Sequence, residues 1–382
     1  MIAKSHILNH PLERLKHAMS ELRPKSGIYQ IKAHMLANDS SDYTPIRIAL
    51  NSNESAFGPC QSAVEAARAT ASNLARYLEN PTALLAPAIA KRHGLNPNRI
   101  AIGNGSDDLL ARLARVYLDA GSEMIRSCNG YLKTPNYAFA NNAVPISVPD
   151  KEFTTSVDAI IDAVTENTRM VYIANPENPA GTYISGDEVR RLHQSLPNHV
   201  VLVLDCAYAE YVDAKDYEVG YQLAQEAENV AVTQTFSKIY GLAGARVGWM
   251  FASQEIVDMV NRIGLTFPVA SSSVSAVMAA LADETHINYV FQTNLRLRNA
   301  FTESITNLGL KVYPSQTNFV LLEFNPGEFS ATACADYLSR QGIATRRFAS
   351  PAYENCIRVT IGMESDMKRI EAKITSFLNH HD

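Results

Sequence analysis

A continuous apolar run over residues 200–204 is the feature that most constrains the fold of this chain. Its valines and leucines do not alternate with polar residues, which is typical of a parallel strand covered on both faces. The run ends at Asp205. Because open α/β sheets bind their ligands at the carboxyl ends of the strands, the sequence predicts that this strand delivers Asp205 to a binding site.

The wider pattern from about residue 95 alternates short apolar runs with amphipathic helical stretches, as in α/β folds. A strand over residues 99–103 leads through a glycine turn into a helix over 107–119, where leucines recur at helical spacing. The sequence therefore predicts a mostly parallel sheet. Its other strands are expected at 170–173, 200–205, 230–234 and 247–251.

The chain has 382 residues, more than one ordinary core needs, so we expect two domains. Beyond the sheet lies a long helical stretch with Asn294, Arg296 and Arg298 among its polar positions, followed by strand runs near 319–324 and 357–361. We predict an N-terminal segment over residues 1–45 packed with the small domain, a large domain over 46–268, and a small α+β domain over 269–382.

The composition narrows the class of partner. The net charge is -5 and the basic residues are scattered, so no basic patch for nucleic acid or an anionic membrane is expected. Five widely spaced cysteines without a CxxC pair predict neither a disulfide framework nor a metal site. Without a long uncharged apolar run, we expect a cytoplasmic protein that acts on a small molecule.

A lysine lies just beyond the strand over 230–234, in the string TFSKIYGLAGARVGW that contains Lys238 and Arg246. A poorly solvated amine is more readily neutral and can form an imine with an aldehyde. Read alone, Lys238 is more often a surface residue. Asp205 changes that balance, because a buried carboxylate needs a cationic or donating partner such as a protonated ring nitrogen. Alone, Asp205 is as readily a helix cap.

Two turns add candidate ligands for the same molecule. The turn NPENPAG over residues 175–181 is rigid, and is either a simple loop or a device that presents Asn178. Tyr208, close behind Asp205, is placed to reach the same ligand oxygen as Asn178. In GNGSD over residues 103–107, unpaired N–H groups at a helix start suit a phosphate, although its acidic residues are equally partners of the helix dipole.

Together these motifs resemble the fold-type I aminotransferases, which use pyridoxal phosphate (PLP), and most closely the broad or aromatic branch of the histidinol-phosphate aminotransferase family. The resemblance covers nearly the whole chain and implies an α/β, aspartate-aminotransferase-like fold. It implies amino transfer between an amino acid, or a histidinol-phosphate-like amine, and a 2-oxo acid. The motifs are LNSNE (50–54), FGP (57–59), GNGSDDLL (103–110), NPENPAGTY (175–183), DCAYAEY (205–211), TFSKIYGLAGARVGW (235–249) and IRVTIG (357–362).

The resemblance implies roles around the cofactor ring. Lys238 is the Schiff-base lysine and the acid/base, and Asp205 keeps the ring nitrogen protonated. Asn178 and Tyr208 bond the phenolate oxygen, and Tyr131 stacks on the ring. The residues matched to the cofactor phosphate are Ser106, Asp107, Thr235 and Arg246, with Ser237 beside them.

It also implies the substrate and subunit contacts. Arg358 matches the arginine that binds the substrate α-carboxylate, and Arg346 lies where the family recognises a distal phosphate. Asn53 belongs to the substrate-binding set. Tyr77 matches a tyrosine that reaches the phosphate of the neighbouring subunit, which implies a homodimer with shared active sites.

The chain differs from the family pattern in three places. Its proline-rich turn has Glu177 and Ala180, and Lys133 and Thr134 follow the stacking tyrosine where relatives have apolar and aromatic residues. Residues 27–32 lack the usual tyrosine-proline-glycine pattern. One hypothesis is that Lys133 lies near the side-chain pocket and favours an acidic or polar substrate; the alternative is that it points to solvent.

Other functions fit parts of the pattern. A PLP lyase or decarboxylase shares the lysine, aspartate and arginine set, since the outcome depends on which Cα bond stands perpendicular to the ring; Arg358 favours transamination. A nicotinamide-dependent dehydrogenase fits the α/β pattern, but GNGSDD lacks the third glycine of that fingerprint. A silent regulatory paralogue fits poorly, because Lys238, Asp205 and Arg358 are all present.

Overall fold

The computed structural model describes residues 23–31, 47–73, 75–78 and 80–379. Within these ranges the strands form three sheets. The strands in chain order are β1 (Ile48–Ala49), β2 (Ile100–Gly103), β3 (Glu123–Ser127), β4 (Val144–Val148), β5 (Thr168–Ala174), β6 (Val201–Asp205), β7 (Val230–Thr235), β8 (Gly248–Phe251), β9 (Lys311–Val312), β10 (Phe319–Glu323), β11 (Ile343–Ala344) and β12 (Cys356–Thr360).

Helices separate most of these strands, and short 3-10 turns lie between several of them. No helix in the described ranges is both long and apolar enough to cross a membrane. The helices in chain order are α1 (Gln61–Ala69), α2 (Pro81–His93), α3 (Ser106–Tyr117), α4 (Thr134–Phe139), α5 (Val157–Asp162), α6 (Gly186–Ser195), α7 (Tyr221–Glu226), α8 (Gln254–Arg262), α9 (Ser271–Ala282), α10 (Glu284–Asn307), α11 (Ala331–Arg340) and α12 (Glu364–Asn379).

A seven-stranded sheet with the order β2-β8-β7-β6-β5-β3-β4 organises the large domain. Its strands are parallel except at β8, which runs antiparallel to both neighbours. The prediction of a mostly parallel sheet is confirmed. Strands β3 and β4 were not predicted, because β3 carries charged residues and β4, at the sheet edge, contains the proline that edge strands tolerate.

The central strand β6 shows how both faces of this sheet are covered. Leu202 and Leu204 belong to the apolar core on one face, with α1, α2, α5, α6, α7 and α9, whereas Val201 and Val203 belong to the core beneath α3, α4 and α8. Asp205 at its end pairs in register with Ala174 of β5. The carboxyl edge of the sheet therefore presents Asp205 between two neighbouring strand ends.

A separate core fills the small domain, between β10, β12, α11 and α12. Helix α9 and the start of α10, with Ile287 and Val290, pack in the large core, whereas Phe301 and Ile305 of α10 lie in the small one. We therefore propose that the domain boundary falls within α10, later in the chain than the expected residue 268.

The beginning of the described chain contributes to both domains. Strand β1 pairs in parallel with β11 of the small domain. Residues 26–30 instead lie beside the end of α4 in the large domain, where the Gly27 N–H donates to Asn142 Oδ1 over 2.9 Å. The expectation that the N-terminal segment packs with the small domain is thus wrong for these residues. The segments 1–22 and 32–46 lie outside the described residues.

Two of the polar positions expected along the long helix are buried. Arg298 donates to Thr317 O over 3.2 Å and pairs with Asp213 over 2.8 Å. The Asn294 amide also donates to Thr317 O, over 3.2 Å. Of the three predicted polar residues, Arg296 alone faces solvent, where it pairs with Glu364. A polar residue in a helical pattern does not show whether it is exposed or is buried with hydrogen-bond partners.

Candidate active site

A cavity of about 250 Å³ opens at the carboxyl edge of the large sheet. Ser52, which the sequence did not single out, also contributes to its wall. A pocket in this position is where α/β sheets place ligands. The predicted residues that line it are Ser106, Asp107, Tyr131, Asn178, Asp205, Tyr208, Thr235, Ser237, Lys238 and Arg246.

Asp205 is the buried acid of this cavity. The Tyr172 hydroxyl donates to its Oδ2 over 2.8 Å, and the Thr233 hydroxyl donates to its Oδ1 over 3.1 Å. Burial raises the pKa of Asp205 to about 6, and the charge of Asp107 adds to this, while the two hydrogen bonds and Lys238 act in the opposite direction. A carboxylate in this setting gains from a cationic partner in the cavity.

Lys238 follows β7, and its amine is held from the small-domain side. Its Nζ donates to the carbonyl oxygen of Asn53 over 3.3 Å and lies 5.5 Å from the Tyr208 ring centroid. Asn53 has a positive φ of 54°, its amide donates to the Tyr208 hydroxyl over 2.9 Å, and its Oδ1 accepts from Thr360 of β12 over 3.1 Å. The buried Asn53 thereby connects the amine, Tyr208 and the small domain.

The start of α3 forms a cradle of hydrogen-bond donors. Its N-cap is Gly105, which offers no side-chain acceptor to the first turn. Gly105 has a φ of 79°, which favours glycine, and a Cβ at this position would lie 2.6 Å from Arg246 Nη2. Arg246 also reaches the Ser237 hydroxyl over 3.4 Å, and Thr235 donates to that hydroxyl over 2.9 Å. Free N–H groups and a guanidinium together suit a phosphate.

Asp107 lies in this first turn and has three donors of its own. Lys133 pairs with it over 2.8 Å, and the hydroxyls of Tyr137 and Tyr131 donate over 2.6 Å and 3.4 Å. Burial alone would raise the pKa of Asp107, but Lys133, Tyr137 and the charge of Arg246 outweigh it, and the net shift is downward. The Lys133 ammonium thus has a carboxylate partner and does not line the cavity, and its effect on the choice of substrate stays a prediction.

Arg358 of β12 belongs to the small domain and does not itself line the cavity, but it contacts Asn178, which does. Its Nη1 donates to Asn178 Oδ1 over 2.6 Å and its Nη2 donates to Asn51 O over 2.8 Å. Its guanidinium carbon lies 5.2 Å from the Phe319 ring centroid and 5.4 Å from that of Phe348. Burial lowers the pKa of Arg358 to about 10, and its Nε is buried without a hydrogen-bond partner among the described residues.

Arg346 is the cross-strand neighbour of Arg358. Their backbones exchange hydrogen bonds of 3.0 and 2.8 Å in an antiparallel bridge, so the two side chains leave the same face. The half-buried Arg346 guanidinium lies 5.9 Å from the Phe348 ring and has no hydrogen bond or ion pair within the described part of the chain. The charge of Arg346 also contributes to the lowered pKa of Arg358. The Arg346 guanidinium is therefore available to bind an anion.

Tyr77 does not line the cavity of its own chain. Its side chain is 76% exposed and stacks on Phe267, with ring centroids 4.1 Å apart. Among the predicted cofactor residues, it is the one that the described chain leaves outside the pocket.

Sequence reasoning missed several residues that hold the site together. Tyr172 and Thr233 fix Asp205, and the Asn318 amide donates to the carbonyl of Asn53 over 3.1 Å. The one available signal was Tyr172 itself, a tyrosine within the apolar strand β5. The residues brought together fit the predicted cofactor: a donor cradle that a Cβ would fill, a buried acid and a lysine amine surround one cavity.

Comparison with known proteins gives the same class of enzyme as the geometry of the site. The chain belongs to the aminotransferase class I and II family, whose profile matches residues 45–374. It is 41% identical to the histidinol-phosphate aminotransferase of Rhodopseudomonas palustris over 362 residues, 94% of this chain and 99% of that protein. It is also 41% identical to that of Nitrobacter hamburgensis over 330 residues, 86% and 90% of the two chains.

Solved structures agree. Histidinol-phosphate aminotransferase from Sinorhizobium meliloti, in complex with pyridoxal-5'-phosphate, superposes with a TM-score of 0.88 at 29% identity, covering 94% of this chain and 99% of that one. Thermus thermophilus aspartate aminotransferase with maleate has a TM-score of 0.76 at 20% identity, covering 87% and 92%, and shares the fold. The predicted family and fold class are confirmed.

Proposed function

We propose that this aminotransferase moves an amino group from an amine of the histidinol-phosphate type to a 2-oxo acid. The enzyme class and PLP as cofactor are confirmed by the family and its PLP-bound structure; the substrate is the proposal. The observation that carries it is the cross-strand pair of Arg358 and Arg346. Within the described chain, Arg358 Nε and the Arg346 guanidinium have no hydrogen-bond partner and are available to an anion. The relatives named for histidinol phosphate support the same substrate.

When bound, PLP supplies an aldehyde that joins to amines and a ring that withdraws electrons from the reacting carbon. We propose that Lys238 carries the cofactor and then moves the proton at the substrate Cα. Asp205, buried and fixed by Tyr172, would hold the protonated ring nitrogen. Asn178 and Tyr208 would donate to the ring oxygen. The Asn178 Oδ1 already accepts from Arg358, so its Nδ2 remains for the cofactor.

The opposite end of the cavity would seat the cofactor phosphate. The first-turn N–H groups of Ser106 and Asp107 would donate to it, with the Thr235 and Ser237 hydroxyls and the Arg246 guanidinium around them. Tyr131 lines the cavity and contacts Asp107 of the cradle and Glu177 beside Asn178, which suits its predicted place over the ring.

Arg358 and Arg346 would allow one site to bind both substrates, the 2-oxo acid by its carboxylate and the amine by its phosphate. A 2-oxo acid presents a carboxylate, for which the fork of Arg358 is suited. Histidinol phosphate carries a phosphate dianion beside its amine-bearing carbon, where an amino acid has its carboxylate. The second guanidinium, Arg346, leaves the same strand face and supplies the additional positive charge that a dianion needs.

We also propose a homodimer in which Tyr77 reaches the partner's cofactor phosphate. Its exposed ring, held against Phe267 outside its own pocket, supports this. Light scattering would give the oligomeric state, and Tyr77→Phe should weaken PLP binding without changing that state. The cytoplasmic location stays a prediction, to be tested by cell fractionation.

The test of the substrate proposal is an absorption spectrum of the PLP-loaded protein between 300 and 500 nm during addition of histidinol phosphate and a panel of amino acids. We expect the visible band to move to shorter wavelength with histidinol phosphate. A response to amino acids alone would reject the substrate and keep the enzyme class. Release of carbon dioxide without formation of an oxo acid would instead identify a decarboxylase.

A further inference from the structure

The proline-rich turn after β5 contains a carboxyl group, on Glu177, that has no place in the chemistry described above. Its side chain is buried, with 3% of the residue exposed. A carboxyl group at this depth is unfavourable unless hydrogen bonds satisfy it. Its Oε1 accepts from the backbone N–H of Tyr131 over 3.1 Å and from that of Asn178 over 3.1 Å.

These two N–H groups belong to residues that face the cavity from different loops. Tyr131 follows β3 and its ring lines the cavity; Asn178 follows β5, lines the cavity and bonds Arg358. A single carboxylate oxygen therefore joins the loop that carries the ring-stacking side chain to the turn that carries the side chain facing the ring oxygen.

The same loop is also held from its other side. Arg126 of β3, a buried residue, donates to Gly130 O over 3.0 Å and to Cys128 O over 3.3 Å. A Cβ on Gly130 would lie 2.8 Å from Glu177 Oε2, so the carboxyl group occupies the space that this glycine leaves. The loop is thus held by its carbonyls through Arg126 and by an N–H group through Glu177.

We propose that Glu177 is a positioning residue that sets Tyr131 and Asn178 at the spacing that the cofactor ring requires. This rests on the proposed roles of those two residues. Burial raises the pKa of Glu177 to about 8, against the opposing effects of Arg126 and the two N–H groups. Oε1 accepts both bonds whether or not Oε2 carries a proton, so the positioning does not need the negative charge.

Because the positioning needs the acceptor oxygen and not the charge, we can predict which substitutions of Glu177 weaken PLP binding. Glu177→Gln keeps the amide oxygen that accepts both N–H groups, and we expect its Kd for PLP within about threefold of the wild type. Glu177→Ala leaves two buried N–H groups without an acceptor, and we expect its Kd to rise roughly 10- to 100-fold. We also expect a lower kcat for Glu177→Ala at saturating PLP, because Asn178 is displaced from the ring oxygen and Arg358.

The chain offers a matched control in the same turn. The buried Thr182 hydroxyl donates to Phe153 O over 2.7 Å and does not line the cavity. Thr182→Val removes a buried hydrogen bond from this turn, as Glu177→Ala does, and should lower the free energy of unfolding without raising the Kd for PLP. Gly130→Ala provides a second route to the same contact, since its Cβ would push the Glu177 carboxyl, and we expect roughly a three- to tenfold weaker Kd.

The experiment titrates each purified apo-protein with PLP by absorbance, and measures unfolding in urea and steady-state kcat and KM alongside. Weak binding in Glu177→Ala and Gly130→Ala, with normal binding in Glu177→Gln and Thr182→Val, supports the proposal. Equal weakening in Thr182→Val, or loss in Glu177→Gln as large as in Glu177→Ala, overturns it. If Glu177→Ala does not fold, the Gly130→Ala variant decides, and normal PLP binding by that variant overturns the proposal. A wild type that binds no PLP would refute the proposed function instead.

Discussion

The wall of the cavity is built by large-domain residues, and it differs in how its polar groups are satisfied from Arg358 and Arg346 of the small domain. We call these two arginines the small-domain wall because Arg358 bonds Asn178 of the cavity lining. On the large-domain wall, Asp205 is held by Tyr172 and Thr233, whose strands flank its own. On the small-domain wall, Arg358 keeps a buried Nε without a partner, and Arg346 has no polar side-chain contact in the described chain. The first wall is organised before anything binds, and the second is left for an anion to complete.

This difference follows from what each wall has to bind. The proposed cofactor stays in place, so the donors and the acid around it gain from being fixed in advance. Substrates leave in every cycle, and a buried cation with spare donors is unfavourable until an anion arrives. Changes on the large-domain wall should therefore lower kcat, and changes on the small-domain wall should mainly raise KM.

The largest effect should come from Lys238 on the large-domain wall. Lys238→Ala removes both the amine that carries the cofactor and the group that moves the Cα proton, so we expect kcat to fall roughly 10⁴-fold or more. An assay of the amino acid that forms from the 2-oxo acid measures this. PLP titration is the control, because the phosphate cradle is intact and should still bind. A variant within tenfold of the wild-type rate would mean that another residue is the acid/base.

Asp205→Asn should have the next largest effect, because an amide carries no charge to hold a proton on the ring nitrogen. We expect kcat to fall roughly 10²- to 10⁴-fold, with a KM for the 2-oxo acid close to that of the wild type. Steady-state kinetics with both substrates varied separates the two constants. A raised KM with unchanged kcat would break the proposed division between the walls.

On the other wall, Arg358→Gln removes a buried charge and, if Arg358 has its proposed role, two charge-assisted hydrogen bonds to the substrate. We expect kcat/KM to fall roughly 10- to 150-fold for both carboxylate and phosphate substrates, mostly through KM. Arg358→Lys should rescue little, because one ammonium cannot reproduce a planar fork. Equal losses in kcat and kcat/KM would instead show that Arg358 acts in the transition state.

How far the sequence predicts this site depends on how local the signal is. Lys238 and Asp205 were found because each follows an apolar strand, and a strand end can be recognised from neighbouring residues. The sheet was predicted through the same runs. By contrast, the contact between Tyr172 and Asp205 depends on the register between β5 and β6, which no short motif encodes.

Two other features show the same limitation. Glu177 was noticed only as a departure from a family pattern, because its partners are backbone N–H groups, which are present at nearly every position of any sequence. Arg298 was recognised as a polar helix position, but its burial and its contacts with Asp213 and Thr317 could not be predicted from the helical pattern. Long-range partners of buried polar groups are set by tertiary packing and remain invisible to periodicity.

A smaller and more selective effect is expected at Arg346. Because its guanidinium is only half-buried, Arg346→Gln should lower kcat/KM for histidinol phosphate by roughly tenfold. Activity with a monoanionic amino acid should stay within about threefold. Competition assays with the two donors in one reaction measure this ratio directly. An equal loss for both donors would mean that Arg346 acts on the fold or on Arg358 and not on the phosphate.

The smallest effect tests the organisation of the large-domain wall itself. Tyr172→Phe removes the hydrogen bond that lowers the pKa of Asp205, so that pKa should rise above its value of about 6. The Asp205 carboxylate must be ionised to hold a protonated ring nitrogen, so PLP affinity should fall as the pH drops through this pKa. We expect the midpoint of that fall to move upward by about one unit or less in Tyr172→Phe.

The stability of the apo-protein provides an independent check on the direction of the pKa shift of Asp205. The folded pKa of Asp205, about 6, lies above its ordinary value of 3.8, so its contribution to stability is fully present below pH 3.8 and is lost as the pH rises through 6. In Tyr172→Phe that loss should extend to higher pH, and in Asp205→Asn it should be absent. Urea unfolding of the three apo-proteins between pH 4 and 8 measures the difference. If Tyr172→Phe shifts neither curve, Asp205 is held by the sheet and by Thr233 alone, and the large-domain wall depends less on side-chain hydrogen bonds than its geometry indicates.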